Sequence, residues 1–542
     1  MRRRIPEFNS VLVFAVVLGL LLGVQPAGAE RLIYHEIKTD ESGKIVPWAG
    51  PPSQAYDHVI RLVWKFWRDM EKCENGLPYY MQHMIWSKDR HGNGLGGDQI
   101  NMALSSWNLL YGYLGEEAVK QNMIFMADYW LDHGLSKPTD AWPNMVFPYD
   151  TVKHSGIYDG DMVAGKGFLQ PDKAATFGAE LITLYKMTGN ERYLNAAIKI
   201  ADTMAKHVKP GDNDHSPWPY RVNAATGDTA TGKMVIEYFE APVPGQVDMK
   251  RTHRTSASYT TNWTGALRLF DGLIALKQGN VNAYARARDM LSAWLKAYPL
   301  KTNKWGPFFE DVPTGMWSDT ETNADTMAWY ILENPQWDPQ WRELAKRALE
   351  WSYATFANRG WEDLGVIVID EQTVYRQPGN SHTARHASVE LLYAEKTGDY
   401  SNREAAIRRL NWATYMVDHD GKNMYPATTR ANAGKPGVGA GIWLTDGYGD
   451  YVRHYLRAMA SLPELAPDDQ NHLLRTSSVI RSISYGADEI RYEKFDASSV
   501  ERFKLGAWRP GKVTGGRMRW DAKSKVLTVE ANSKNVVITR AR

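Results

Sequence analysis

Along residues 50–465 the chain alternates between two kinds of amphipathic segment, and five times one kind ends in a tight break before the other begins. The breaks read YLGEEAV near Gly115, MTGNERYL near Gly189, KQGNVNAYA near Gly279, ENPQWDPQW near Pro335 and KTGDYSNREAA near Gly398. Glycine closing one helix, followed by Asn, Asp or Glu opening the next, is the punctuation of a helical hairpin. The spacing predicts first-of-pair helices over 98–113, 171–187, 257–277, 319–333, 381–397 and 444–462. Second-of-pair helices are predicted over 115–133, 190–208, 281–298, 338–357 and 402–419. A helix over 54–72 precedes them all and pairs with the last, which makes six and six.

The two sets differ in where their charges fall. Second-of-pair segments such as NERYLNAAIKIADTMAKHV carry charge along one face, as helices with one side in water do. First-of-pair segments are rich in small and aromatic residues, with few charges beyond the first turn, as helices covered on all sides are. An inner ring within an outer ring follows: a mainly α chain, an (α/α)6 toroid over 30–466. Inner-to-outer links are short, whereas the outer-to-inner links over 73–97, 134–170, 209–256, 299–318, 358–380 and 420–443 are long. Long connections in a compact domain commonly build a site. All six should emerge on one face, at the N-termini of the inner helices. After Pro467 the period shortens to two, in SVIRSISYG, EIRYEKF and MRWDAKSKVLTVEA, which predicts a small β module over 467–542 packed on the toroid.

The N-terminus reads differently again. Arg2 to Arg4, an apolar run from Val11 to Val24, and Ala27-Gly28-Ala29 form a signal peptide over 1–29, with a mature start near Glu30. The expected location is secreted or periplasmic, with no membrane contact after cleavage. Of 64 basic and 62 acidic residues, residues 1–29 hold three arginines and Glu7, leaving 61 of each in the mature chain. Such a balance provides no long-range field for nucleic acid or a membrane surface. Cys73 is the sole cysteine, so no internal disulfide forms and no zinc or redox motif is present. Aromatic residues make up 12% of the chain, many of them in the Gly/Pro/Asn-rich links, where their faces suit the apolar faces of sugars.

The six hairpins, the export signal and the aromatic links, including HSPWPYRVNAATGD, resemble the six-hairpin, (α/α)6-toroid carbohydrate-active enzymes, a group of glycoside hydrolases and polysaccharide lyases. The resemblance covers residues 50–465, rests on architecture, and implies a saccharide substrate while leaving the reaction open. The β module is smaller than the large β-sandwich that many toroid lyases append.

Two chemistries compete at the expected mouth. Glycoside hydrolysis needs two carboxyl groups across the scissile bond. Asp319 or Asp325 on the fourth inner helix and Asp446 on the sixth are read as near-opposite catalytic candidates, with Asp159 and Asp161 as further acids in the second link. Each is also placed to cap or charge a helix N-terminus. The segment GNSHTARHASVELL, in contrast, turns a face polar where burial is expected, with Asn380, His382, Arg385 and His386 within two turns. His382 and His386 stand one turn apart beside Arg385, so a base and a carboxylate clamp can face one cavity, with Tyr448 as acid, as elimination from a uronate requires. HTARH has no glutamate after its first histidine, and no metal or other cofactor is expected. Trp218, Tyr220, Trp317 and Trp443 are candidate sugar platforms, and Asp450 and Arg453 join them from the sixth link.

The preferred sequence reading is a secreted glycoside hydrolase acting on uronic-acid-containing glycans, with His382, Arg385 and His386 reading the carboxylate. A polysaccharide lyase using the same mouth is the alternative, followed by a non-catalytic glycan-binding protein, and export disfavours a sugar epimerase.

Overall fold

The computed structural model describes residues 35–81, 97–152, 155–161, 164–230, 233–235, 252–254, 257–308, 317–373, 376, 378–421 and 448–542. Twelve long helices are found among them. The odd-numbered, outer helices are α1 (Pro52–Arg68), α3 (Glu117–His133), α5 (Glu191–His207), α7 (Val281–Ala297), α9 (Trp341–Phe356) and α11 (Arg403–Thr414). The even-numbered, inner helices are α2 (Gly97–Leu114), α4 (Pro171–Thr188), α6 (Thr264–Leu276), α8 (Glu321–Glu333), α10 (Asn380–Thr397) and α12 (Tyr448–Ser461).

The hairpin breaks are built as their residues suggest. Gly189 and Gly398 close α4 and α10 at φ +76° and +82°, and their N–H groups return to the carbonyls of Tyr185 and Ala394. Those left-handed angles are available to glycine without steric cost. Asn190 then opens α5 by accepting the Arg192 N–H, and Asn280 opens α7 by accepting that of Ala283. The predicted 257–277 helix begins only at Thr264, because residues 257–263 are held as irregular chain: Thr260 Oγ1 donates to the Pro307 carbonyl and Thr261 Oγ1 to that of Trp305.

The inner helices close on themselves. α2 packs on α12 and α4, α4 on α6, α8 on α10, and α10 on α12, while α6 touches α8 more lightly, so the chain is an (α/α)6 toroid. Thirteen residues of α4 are buried, including charged Asp172, Lys173 and Glu180, whereas α5 buries one face and exposes the other. Indole rings fill the space between the rings. Trp67 and Trp107 cross at 90° with centroids 5.2 Å apart, and both donate to Asn122 Oδ1, at 3.0 and 2.9 Å. One half-buried amide thereby satisfies two indoles that burial alone would leave unpaired.

Residues 471–540 contain eight strands: β1 (Asn471–Thr476), β2 (Ile480–Tyr485), β3 (Glu489–Lys494), β4 (Ser499–Leu505), β5 (Pro510–Thr514), β6 (Gly516–Asp521), β7 (Val526–Ala531) and β8 (Asn535–Arg540). They form two four-stranded antiparallel sheets, ordered β2-β3-β8-β5 and β6-β7-β4-β1. This module sits against the C-terminal ends of inner helices. The Tyr485 hydroxyl donates to the Gly112 carbonyl, His472 stacks on Tyr113 at 3.9 Å, and Arg475 grips Glu395 of α10 with two hydrogen bonds of 2.8 and 3.0 Å. The opposite face, at the N-termini of the inner helices, is left to the long links. Two of these are stitched together there by the antiparallel pair Phe168–Leu169 and Val222–Asn223.

Candidate functional site

A run of charged side chains lies buried where α8, α10 and α12 meet. Arg385 of α10 donates through Nη1 to Glu321 Oε2 at 2.7 Å and Thr322 Oγ1 at 2.8 Å, both on α8, and through Nη2 to Asp450 of α12. His382 meets the same Glu321 oxygen at 2.6 Å, and His386 meets Asp325 at 2.8 Å and Glu390 at 3.5 Å. All of these groups are buried, and each histidine pairs through Nδ1 with an acid of the neighbouring inner helix. Spacing of three and four along α10 sets the three side chains on one side of the helix, facing α8.

Charge balance decides the protonation of this wall. Burial opposes ionisation of Glu321, and the Arg385 and His382 charges overcome it, holding the carboxyl well below its ordinary range. Asp325 moves the other way, because burial and the neighbouring Glu321 charge outweigh His386. Burial works against the His386 cation, yet Asp325 and Glu390 push it up to about 10. His382 is likewise raised, by Glu321 against burial. Two carboxyl groups one turn apart on α8 are thus driven in opposite directions, the pattern that separates an acid from a base.

Beside this wall an open cavity of about 60 Å³ is lined by five of the six inner helices. Four cationic side chains line it: Lys173 from α4, Arg268 from α6, and Arg453 and Arg457 from α12. Thr322, Thr326 and Trp329 of α8 complete one side, and Glu180 is the acidic residue among the lining groups. Arg268 pairs with Glu180 at 2.8 Å, Lys173 with Asp172 at 3.3 Å, and Arg453 with Asp450. Arg457 has no carboxylate within ion-pair distance among the described residues, and its guanidinium lies over the Trp329 ring at 4.1 Å. Burial, with Arg453 and Arg268 nearby, disfavours its charged form. Four cations with three carboxylate partners between them can hold an anion.

The wall and the cavity are mechanically one object. Arg385 holds Thr322 directly and holds Arg453 through Asp450, so two lining groups take their positions from a residue that does not itself line the cavity. Arg453 is fixed further by donating to Ser105 Oγ of α2 at 2.7 Å.

The remaining sequence candidates are dispersed. Asp319 precedes α8 and accepts the N–H groups of Trp305 and Gly306 at 3.0 and 2.7 Å, which staples the fourth link; burial raises its carboxyl against those amides. The fourth and sixth inner helices flank α10 and are not opposite each other in the ring, so Asp319 or Asp325 does not face the sixth helix across the axis. Asp161 is buried in an ion pair with Arg221 at 3.0 Å, and Asp159 accepts from Thr151 and pairs with Lys166 at 3.0 Å. Trp218 is fully buried against Trp263, its Nε1 donating to the Met204 carbonyl, and Tyr220 is buried with its hydroxyl on the Phe308 carbonyl. Both therefore pack the walls instead of offering a face to a ligand. Trp317 remains 37% exposed, close to Tyr259 and below the Lys304 ammonium. Asn380 and Tyr448 begin α10 and α12, with side chains outside the described residues, as are Asp446 and Trp443 altogether.

Lys173, Glu180, Arg268, Trp329 and Arg457 were not picked out by sequence reasoning. A signal was present: Glu180, Arg268 and Arg457 are charges placed beyond the first turn of inner helices, where the pattern otherwise carries few.

No family model and no curated protein sequence matches the chain. Solved structures resemble it in fold. Cellobiose 2-epimerase from Spirochaeta thermophila matches with 12% identity and a TM-score of 0.52, over 76% of this chain and 97% of that one. A sugar epimerase from a ruminal bacterium matches with 13% identity and a TM-score of 0.50, over 74% and 97%. A family 76 glycoside hydrolase from a bovine Bacteroides thetaiotaomicron strain matches with 13% identity and a TM-score of 0.44, over 77% and 78%. These are (α/α)6-toroid enzymes that act on carbohydrates, and at such identities the likeness concerns the fold.

Proposed function

We propose that the chain is an exported carbohydrate-active enzyme, a glycoside hydrolase that acts on saccharides bearing a carboxylate. The observation that carries this reading is the set of four cations around one axial cavity, with Arg457 lacking a carboxylate partner among the described residues. The lining offers a carboxylate group several charged donors at once. The sugar acid would enter the cavity head first, leaving its ring and glycosidic bond in the mouth above.

Hydrolysis is preferred to elimination for an electrostatic reason. Elimination requires an unprotonated base, and the acids around His382 and His386 favour their protonated forms. Glu321 and Asp325, buried in the wall and absent from the cavity lining, hold the two histidines in those forms. His382, Arg385 and His386 then act as positioning residues for Thr322 and Arg453. The unassigned catalytic acid is sought first at Asp446, two residues before Tyr448 in the sequence and outside the described residues.

The test is digestion of a panel of acidic and neutral oligosaccharides by secreted, N-terminally sequenced protein, read for reducing ends, for the ultraviolet absorbance of unsaturated uronates, and for isomerised sugars. New reducing ends without absorbance, on acidic substrates alone, are expected, together with a chain starting near Glu30. Rising absorbance selects the lyase, isomerisation without cleavage selects an epimerase, and retention of glycans without turnover selects a binding protein. Asp446→Asn should lower turnover by about a hundredfold or more, the scale of general acid–base catalysis. An unchanged rate in folded Asp446→Asn protein removes that residue from the mechanism.

A further inference from the structure

Away from the ring axis, on the outer wall, residues 35–48 lie as a strap across α1 and the exit of α11. The strap is tied down along its length. The Ile45 carbonyl accepts from Arg408 at 3.0 Å and Asn411 at 3.2 Å, Trp48 Nε1 donates to the Thr414 carbonyl at 2.8 Å, and the Tyr415 hydroxyl donates to the Val46 carbonyl at 2.7 Å. At its beginning, His35 stacks on Trp48 with ring centroids 3.8 Å apart, and Nε2 donates to the Val417 carbonyl at 2.7 Å. That bond fixes the neutral tautomer, in which Nδ1 carries the lone pair. Two residues beyond Val417, the exposed His419 ring stands 4.5 Å from His35 and 4.9 Å from Trp48, edge-on to the latter. The buried Asp418 carboxylate accepts the His419 backbone N–H at 2.7 Å through Oδ1.

We propose that His35, Asp418 and His419 form a binding site for a divalent transition metal, with zinc as the best match, which clasps the strap to the end of α11. The donor atoms of the three residues lie within 4.8 Å of one another. In a tetrahedral zinc shell with bonds of about 2.0–2.2 Å, ligand atoms stand about 3.3–3.5 Å apart. The contraction is small, and the exposed His419 is free to make it by turning its side chain. Two imidazoles and one carboxylate select zinc, cobalt, nickel or copper over calcium and magnesium, which prefer an all-oxygen shell. The carbonyl that orients His35 is the usual outer partner of a metal-bound histidine. Because His419 faces solvent, water supplies the fourth ligand, and the site is a clasp remote from the axial cavity. Its failure and that of the saccharide reading are therefore distinguishable: the metal readouts below involve no sugar.

The experiment uses the full mature chain purified without a histidine tag, stripped with chelator and dialysed against zinc. One zinc per chain is expected, with a rise in melting temperature. Cobalt in its place should give the visible absorption of a four-coordinate ion. His419→Ala, which alters an exposed side chain, should lower zinc affinity at least tenfold and abolish the cobalt band, and Asp418→Asn should do likewise. His215→Ala, at an exposed His–Asp pair on another link, should retain both. Loss of the folded state in His35→Ala would leave His419→Ala to decide. No zinc uptake by the wild type, or equal affinity and an unchanged cobalt spectrum in His419→Ala, overturns the proposal.

Discussion

Replacing Arg385 by methionine should destabilise the ring, because it takes one cation from two buried acids at once. Arg385 is 2% exposed, and its guanidinium is shared between Glu321 of α8 and Asp450 of α12. Methionine keeps much of the volume and removes both ion pairs, so two carboxylates remain in a place that water does not reach. Breaking one buried pair in this way costs about 3–5 kcal/mol. His382, Arg453 and His454 still attend the stranded acids, which keeps the expected loss within that range instead of doubling it. The pH dependence identifies the cause. Burial opposes ionisation of both acids, and Arg385 overcomes it, so both folded-state values are depressed from 4.5 and 3.8. A depressed carboxyl contributes stability that is present above its unfolded value and lost as pH falls through its folded one. The gap between wild type and Arg385→Met should therefore be full at pH 7 and narrow below about pH 4, as the acids of the variant take up protons. Urea unfolding followed by both indole fluorescence and far-ultraviolet dichroism measures this, provided the two transitions coincide. Adding Glu321→Gln and Asp450→Asn to the variant should restore part of the loss. A deficit under about 1 kcal/mol, the ordinary worth of an exposed pair, or one that does not shrink in acid, would refute the reasoning.

Other expectations concern the cavity and the packing around it. Arg457→Ala should raise KM for a carboxylated substrate about tenfold to a hundredfold, the loss of one charged hydrogen bond, while leaving kcat and any neutral substrate little changed; steady-state kinetics on matched sugars decides. Gly265→Ala places a Cβ 2.6 Å from the Thr176 Cα and 2.2 Å from its Oγ1, so α4 and α6 must separate; a loss of about 1–3 kcal/mol is expected in denaturant melts, and neutrality would show that the two helices have slack. His386, raised from 6.5 to about 10, contributes stability that is complete below pH 6.5 and lost as pH rises through about 10. The stability difference between wild type and His386→Gln should accordingly vanish in strong alkali, and a difference independent of pH would assign the residue to packing alone.

The architecture was legible because it is written in local chemistry. Gly189 and Gly398 stop helices for reasons contained in one residue, the charged faces of α5 and α9 mark the outer ring, and six long links against short ones place the mouth. The polar head of α10 could also be seen, but its partners could not. Glu321, Asp325 and Asp450 are about 60 residues from the groups they pair with, and only closure of the ring makes α8 and α12 the two neighbours of α10. Sequence reading sent Arg385 to the substrate, whereas packing sends it into the wall and gives the cavity to Arg453 and Arg457, one turn apart on the next inner helix. Trp218 shows the same limit from the other side: an aromatic in a polar link looks like a sugar platform until the link folds inward and Trp263 covers it. Periodicity fixes which face of a helix is buried. Whether a charge on that face meets a partner or an empty axis depends on helices far away in the chain, and tertiary structure alone decides it.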